Sequence, residues 1–350
     1  MPKITEADLK KQIKSKELPN VYVLFGDEKY LISYYRNALK TAIVGKKENS
    51  FNTHIFSDEN INLDDIVDSV EAFPLMCEKK CVIVDDLNIE SLNESDLKKL
   101  TDLLLDVPPF CVLILSFSTL NIDRKKSAKW KKFLKSIEKC THIIDFAKRG
   151  DIALERQIVS WAKKLGCELS TVDASKIIRN CGNDLLSLRN ETEKLCAYAD
   201  GQTITSEMID EIVTKNLETN VFALAKAMAA TDYKTAYKQL DILFYQKEEP
   251  IAVLAVLLSV YVDMYRVRVA IESGRDPQEL TKYFDYKNKE FRIKNAVRDA
   301  RNISTEILKE CLNVILKTDI ALKSTSIDKR LLMEEMITKL SMLYKRESRF

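Results

Sequence analysis

Phosphate chemistry has its natural place in this sequence at Phe25-Gly26-Asp27-Glu28-Lys29-Tyr30-Leu31-Ile32-Ser33, where a short apolar run ends in one glycine and a helical pattern begins. A phosphate-cradling loop of the form G-x-x-x-x-G-K-[ST] needs a second glycine and a Lys-Ser/Thr pair, because its backbone amides and ammonium group meet the phosphates. Both are missing here. Asp27 and Glu28 would also repel a triphosphate at a helix N-terminus, and they suit the first turn of the helix instead. The 7 glycines (Gly26, Gly45, Gly150, Gly166, Gly182, Gly201 and Gly274) are too widely spaced for this loop or for G-x-G-x-x-G anywhere in the chain. Val82-Ile83-Val84-Asp85-Asp86 has the form of a strand that delivers Mg²⁺-holding acids to a nucleotide. Without a phosphate loop the pair has nothing to serve, and two adjacent carboxylates rarely converge on one ion.

Other chemistries have fewer residues to draw on. His54 and His142 are the only histidines, which excludes a multi-histidine metal site, and no G-x-S-x-G elbow is present to serve a triad. The 8 cysteines stand singly between Cys77 and Cys311 with no C-x-x-C pair. That is the pattern of small core residues in a reducing compartment. No metal and no cofactor is therefore expected. Two features point to macromolecular partners. Arg124–Lys139 holds eight basic residues against one acid; Lys125, Lys126 and Lys129 are its candidate DNA contacts, and a solvated helix face is the competing reading. In Phe73-Pro74-Leu75-Met76-Cys77 the proline should stop a helix and leave two large apolar residues in a turn. Pattern alone favours folding them inward; a protein-docking tip is the alternative.

These residues sit in an ordinary globular background. Hydrophobic residues make up 46% and charged residues 31%, and a net charge of +2 argues against wholesale coating of nucleic acid. The chain opens without the apolar core of a signal peptide, and its longest apolar stretch, Ile251 to Val262, is too short to span a bilayer. A cytoplasmic protein with no membrane partner is expected.

The elements that would position the candidates alternate through residue 147. Apolar runs at Val21–Phe25, Cys81–Val84, Phe110–Leu115 and His142–Phe146, with a weaker one at Thr53–Phe56, read as strands. Between them lie helical patterns: one from Tyr30, one capped by Asn62 with Leu63, Ile66, Val67, Val70 and Phe73 as its stripe, one over Ser95–Leu105, and a basic one near Lys125–Lys139. Uniformly apolar strands alternating with helices predict a parallel sheet covered on both faces. After Gly150 the patterns are helical only. The expected division is an α/β domain at 1–147, a small all-α domain at 148–214 and a larger all-α domain at 215–350.

In order and spacing, Val21-Tyr22-Val23-Leu24-Phe25-Gly26-Asp27-Glu28, Phe73-Pro74-Leu75-Met76-Cys77-Glu78-Lys79-Lys80, Thr318-Asp319-Ile320-Ala321-Leu322-Lys323-Ser324 and Asp328 resemble the delta subunits of bacterial DNA polymerase III over nearly the whole chain. The resemblance implies an AAA+-like sheet domain with a degenerate P-loop, a helical lid and a helical collar for clamp-loader assembly. It also implies a clamp-loader subunit of the polymerase III holoenzyme that binds and opens the sliding clamp for loading onto primed DNA without hydrolysing ATP. Gly26, Asp27 and Glu28 then mark a nucleotide site that no longer binds. Its partners are the beta clamp, the gamma/tau ATPase subunits, delta-prime and, in the assembled loader, primed DNA. The family's two clamp-inserting hydrophobic residues fall on Leu75 and Met76, with Phe73 beside them; an aromatic is frequent at the second position, and Met76 departs from that. The Ser-Arg-Cys and four-cysteine motifs of the ATPase and delta-prime relatives do not occur. An atypical AAA+ ATPase and a direct nucleic-acid binder are the rival readings.

Overall fold

The apolar runs become strands because a parallel sheet offers each of them burial on two faces. The computed structural model describes residues 4–45, 50–57, 61–120, 127–286 and 290–347. The chain divides into two compact units, Met1–Gln157 and Ile158–Phe350.

In the first unit the elements follow as α1 (Glu6–Ser15), β1 (Val21–Gly26), α2 (Lys29–Val44), β2 (Thr53–Phe56), α3 (Leu63–Glu71), β3 (Lys80–Asp85), α4 (Glu94–Leu105), β4 (Cys111–Ser116), α5 (Ala128–Ile137) and β5 (His142–Phe146). The five strands form one parallel sheet in the order β2-β3-β4-β1-β5. Val23 is in register with Leu115 on one side and Ile143 on the other. β3 and β4 are buried throughout, whereas the edge strand β2 is half-buried. Alternate residues face opposite sides: Val21, Val23 and Phe25 join Ile66, Val70, Leu100, Trp130 and Phe133 in a core under α3, α4 and α5. On the other face α2 buries Ile32, Tyr35 and Leu39.

Local signals explain the helix ends. The Asn62 side chain accepts from the Asp64 amide, and Asp64 and Asp65 fill the positive first turn of α3. The stripe expected to reach Phe73 stops at Val70. Pro74 disfavours helical geometry at Phe73, and Ala72 has already turned to ψ 140°. α1 was not legible as an apolar stripe. It is held instead by a reciprocal Thr5–Asp8 capping box. The basic helix begins at Ala128, capped by Ser127; Lys125 and Lys126 lie outside the described residues.

α6 (Asp151–Lys164) leads out of the first unit. The second unit continues with α7 (Thr171–Cys181), α8 (Leu185–Ala199), α9 (Ser206–Ile212), α10 (Leu217–Ala229), α11 (Tyr233–Tyr245), α12 (Pro250–Glu272), α13 (Glu290–Asp299), α14 (Thr305–Ser324) and α15 (Lys329–Glu347). α8 buries the expected Leu185, Leu188, Thr192, Leu195 and Cys196. A single core that includes Leu224, Leu240, Tyr261, Ile293, Ile315 and Ile337 joins α10 through α15. α12 outruns its apolar stretch to 23 residues and is long and apolar enough, by length and composition, to cross a membrane. It also carries Asp263, buried inside the bundle, where Tyr286 Oη donates at 2.5 Å and the Arg292 guanidinium pairs at 2.6 Å. An acid so placed needs these partners, because an unpaired buried charge is strongly unfavourable.

Candidate functional site

At the C-terminal end of the sheet, where open α/β folds bind ligands, the groups that would meet a nucleotide are engaged by the protein itself. Gly26 has φ +142°, and a Cβ there would stand 2.3 Å from the Phe146 carbonyl oxygen. Only glycine permits that approach. The Glu28 amide donates to the same carbonyl at 2.9 Å, which seats the β1–α2 junction against β5. Lys29 Nζ donates to the carbonyls of Phe117, at 3.2 Å, and Leu120. Where a phosphate loop would place its second glycine and its lysine stand Leu31 and Ile32, both on the buried face of α2.

The two acids after β3 diverge. Asp85 accepts from the Arg36 guanidinium and the Ser116 hydroxyl. Asp86 accepts from the amides of Thr119 and Leu120, at 2.9 and 3.1 Å, and from the Ser118 hydroxyl at 3.2 Å. Six of the eight cysteines are buried, with Cys77 and Cys140 as the exposed exceptions. Burial pushes the Cys81 thiol up to about 12 and Cys111 up to about 11, so both stay protonated and unreactive at neutral pH.

The opposite, N-terminal end of the sheet carries the apolar turn. Between α3 and β3, Phe73 is 81% exposed, Leu75 57% and Met76 fully. The inward folding favoured by pattern does not occur. The turn is nevertheless braced. Lys80, at the start of β3 and 1% exposed, donates its ammonium to the carbonyls of Ser69 and Ala72 and so closes the C-terminus of α3. Burial lowers the Lys80 pKa. Phe73 packs on Phe110, with ring centroids 4.8 Å apart. Asn52, fully buried at the entry to β2, accepts from the Leu75 amide at 2.7 Å and donates to the Leu75 carbonyl at 2.6 Å. Met76 holds φ +54°, a left-handed conformation that side chains seldom adopt. Together these contacts present Leu75 and Met76 to solvent from a fixed backbone.

On α5, Trp130, Phe133 and Ile137 are the buried side, as the interleaved pattern requires. Lys129 is drawn inward, donating to the carbonyls of Glu90, at 2.8 Å, and Leu92. Lys132 and Lys135 remain on the exposed face. An open cleft of about 690 Å³ between α4 and α5 is lined by Leu97, Lys98, Lys129, Lys132 and Phe133 among others.

Residues named at the sequence level thus lie in three separate places: the β1–α2 junction at Gly26, Asp27 and Glu28, the braced tip at Phe73, Leu75 and Met76, and Lys129 on α5. The braces Asn52, Lys80 and Phe110 carry no local signal. Each lies far along the chain from its target or looks like an ordinary strand-end residue.

Comparison with known proteins bears on the chain as a whole. Residues 22–144 match the family model described as DNA polymerase III, delta subunit, and residues 218–340 match that of the DNA polymerase III delta subunit, C-terminal domain. The chain is 25% identical over 340 residues to DNA polymerase III subunit delta of Bacillus subtilis, covering 95% of this chain and 96% of that one. It is 23% identical over 302 residues to the probable DNA polymerase III subunit delta of Aquifex aeolicus, covering 81% and 82%. Its fold is similar to that of the Bacillus subtilis DNA clamp loader delta protein, with TM-score 0.65, 24% identity and coverage of 96% and 99%.

Proposed function

Because the chain belongs to the DNA polymerase III delta-subunit family, and is thereby a clamp-loader component of that holoenzyme, we propose that it binds the sliding clamp through Leu75 and Met76 and favours the clamp's open form for loading onto primed DNA. The observation that carries this reading is the exposure of two large apolar side chains on a turn whose backbone is held from three sides. Large apolar side chains held together in solvent mark a site of protein interaction. Burying each in a pocket supplies ~1.5–3 kcal/mol. Opening follows only if those contacts are better made with the open ring, since a ligand indifferent to conformation shifts nothing.

The subunit works without hydrolysing ATP. Support comes from the crevice at Gly26, where Lys29 is bound to carbonyls and Arg36 to Asp85. The gamma/tau ATPases and delta-prime are its partners in the loader, and they supply the nucleotide-driven step in the cytoplasm. The three-part division into 1–147, 148–214 and 215–350 belongs to the same proposal; the separate core of α10–α15 supports the last boundary.

The test is co-purification with the sliding clamp. Leu75→Ala/Met76→Ala should weaken binding by about a hundredfold or more, since ~3 kcal/mol is lost, with little change in melting temperature. Unchanged affinity would overturn the assignment of the tip. Titration calorimetry of the isolated chain with Mg-ATP should show no saturable heat; a clear isotherm would restore the ATPase reading.

A further inference from the structure

We propose that Asn52 is a positioning residue for the tip, a side-chain amide that stands in for a strand partner and sets the backbone of Leu75 before any clamp arrives. This rests on the reading of Leu75 and Met76 as the clamp-binding residues. In a hydrogen-bonded strand pair, one residue gives its N–H and takes a bond on its C=O from the residue opposite. The Asn52 amide reproduces that exchange with one side chain: its Oδ1 takes the Leu75 N–H at 2.7 Å and its Nδ2 gives to the Leu75 oxygen at 2.6 Å. Among the common side chains only a carboxamide offers a donor and an acceptor side by side in one plane, and Asn52 is fully buried, so solvent does not compete for either bond.

Its placement is built into the sheet. β2 and β3 pair with Thr53 opposite Cys81, which puts Asn52 beside Lys80 at the N-terminal rim. The residue just before the edge strand thus reaches the turn that leads into the neighbouring strand, 23 residues later in the chain. The turn has need of it. Leu75 is followed by Met76 at φ +54°, a conformation that persists only where the surroundings over-determine it. Lys80 fixes the turn at its helical end through Ser69 and Ala72, and Phe110 meets the Phe73 ring. Asn52 bonds the backbone of a docking residue itself.

Loss of the bracket leaves the apolar side chains intact and lowers the fraction of molecules whose tip is in the binding geometry. Apparent affinity falls by that fraction, so a tip correctly placed one time in ten binds about tenfold more weakly. Asn52→Leu removes both bonds at similar volume. Asn52→Asp keeps the acceptor for the Leu75 N–H but turns a carboxylate oxygen on the Leu75 carbonyl.

The experiment compares full-length wild type, Asn52→Leu, Asn52→Asp and Leu75→Ala/Met76→Ala for affinity to the purified sliding clamp. Hydrogen exchange at the Leu75 amide is followed in the same samples with and without saturating clamp. Both Asn52 variants should bind roughly tenfold more weakly than wild type. The Leu75 amide should exchange slowly in wild type in both states. In the variants it should exchange fast when free and return to slow exchange when clamp is bound. Slow exchange at the β3 and β4 core amides of the free variants, as in wild type, separates positioning from a general loss of fold, because clamp binding would also restore a destabilised chain. If Asn52→Leu fails to fold, Asn52→Asp carries the same readings. A folded Asn52 variant with wild-type affinity, or a Leu75 amide that exchanges fast in free wild type, overturns the proposal while the tip reading stands. A Leu75→Ala/Met76→Ala protein that binds as wild type overturns the tip reading, and the proposal falls with it.

Discussion

A glycine and a lysine show how much of this domain depends on single residues that hold its backbone in place. Gly26 is required by the nearness of β5, with the Phe146 carbonyl occupying the space a Cβ would take and φ lying at +142°. Gly26→Ala should destabilise the protein by more than about 2 kcal/mol, read as a lower urea midpoint. Lys80 is buried with its ammonium on two helix-terminal carbonyls. Lys80→Met fills similar space but leaves the Ser69 and Ala72 carbonyls without their donor, at a cost of about 1–3 kcal/mol; chemical denaturation of the pair measures it. Glycine scarcity in the sequence pointed away from nucleotide binding. It did not reveal that the one glycine at the crevice serves strand packing, because the close approach comes from β5, which lies 120 residues away along the chain.

At the scale of elements, strands and most helices were legible because their causes are local. Apolar runs form the centres of β1, β3 and β4, and Asn62 with its following acids starts α3. The turn after α3 was legible only as a place where a helix must stop. Whether its apolar residues face in or out is decided by Asn52, Lys80 and Phe110, which reach it across the sheet rim. No periodicity encodes such contacts. α3 therefore has two ends with different duties, and they can be separated. Asn62→Ala removes the N-cap and should lower stability by about 1 kcal/mol in a denaturant titration. Clamp affinity of the folded protein should stay within about twofold, because the C-terminal end is held independently by Lys80.

At the scale of the whole molecule, the two candidate places on the sheet lie at opposite rims. The proposed partner contact is at the N-terminal rim, and at the C-terminal rim, where open α/β folds bind ligands, Lys29 and Asp85 are paired within the protein. Tertiary pairing also governs acid stability. Burial alone would raise the Glu6 carboxyl, but bonds from Lys10, Tyr35 and Arg149, with the Arg149 charge, outweigh it and hold its pKa below the ordinary value. A carboxylate lowered in the folded state contributes stability above its unfolded pKa and loses it as pH falls through the folded value. Glu6→Gln should thus be less stable than wild type at pH 7 by about 1–2 kcal/mol, and the gap should close as both are titrated below the carboxylate range. Thermal melts across pH 2–7 test this.

The burial of Leu31 and Ile32 makes a phosphate loop costly to install at the β1–α2 junction. Restoring a phosphate loop by Leu31→Gly and Ile32→Lys would remove a core side chain and drive an ammonium into a position with no solvent access. Lys29 would still be held by the Phe117 carbonyl and Arg36 by Asp85. Each single substitution toward such a loop costs core packing or buries an ammonium. On the proposed reading, the exposed tip can be retuned at far less cost to the fold than the buried β1–α2 junction can be rebuilt.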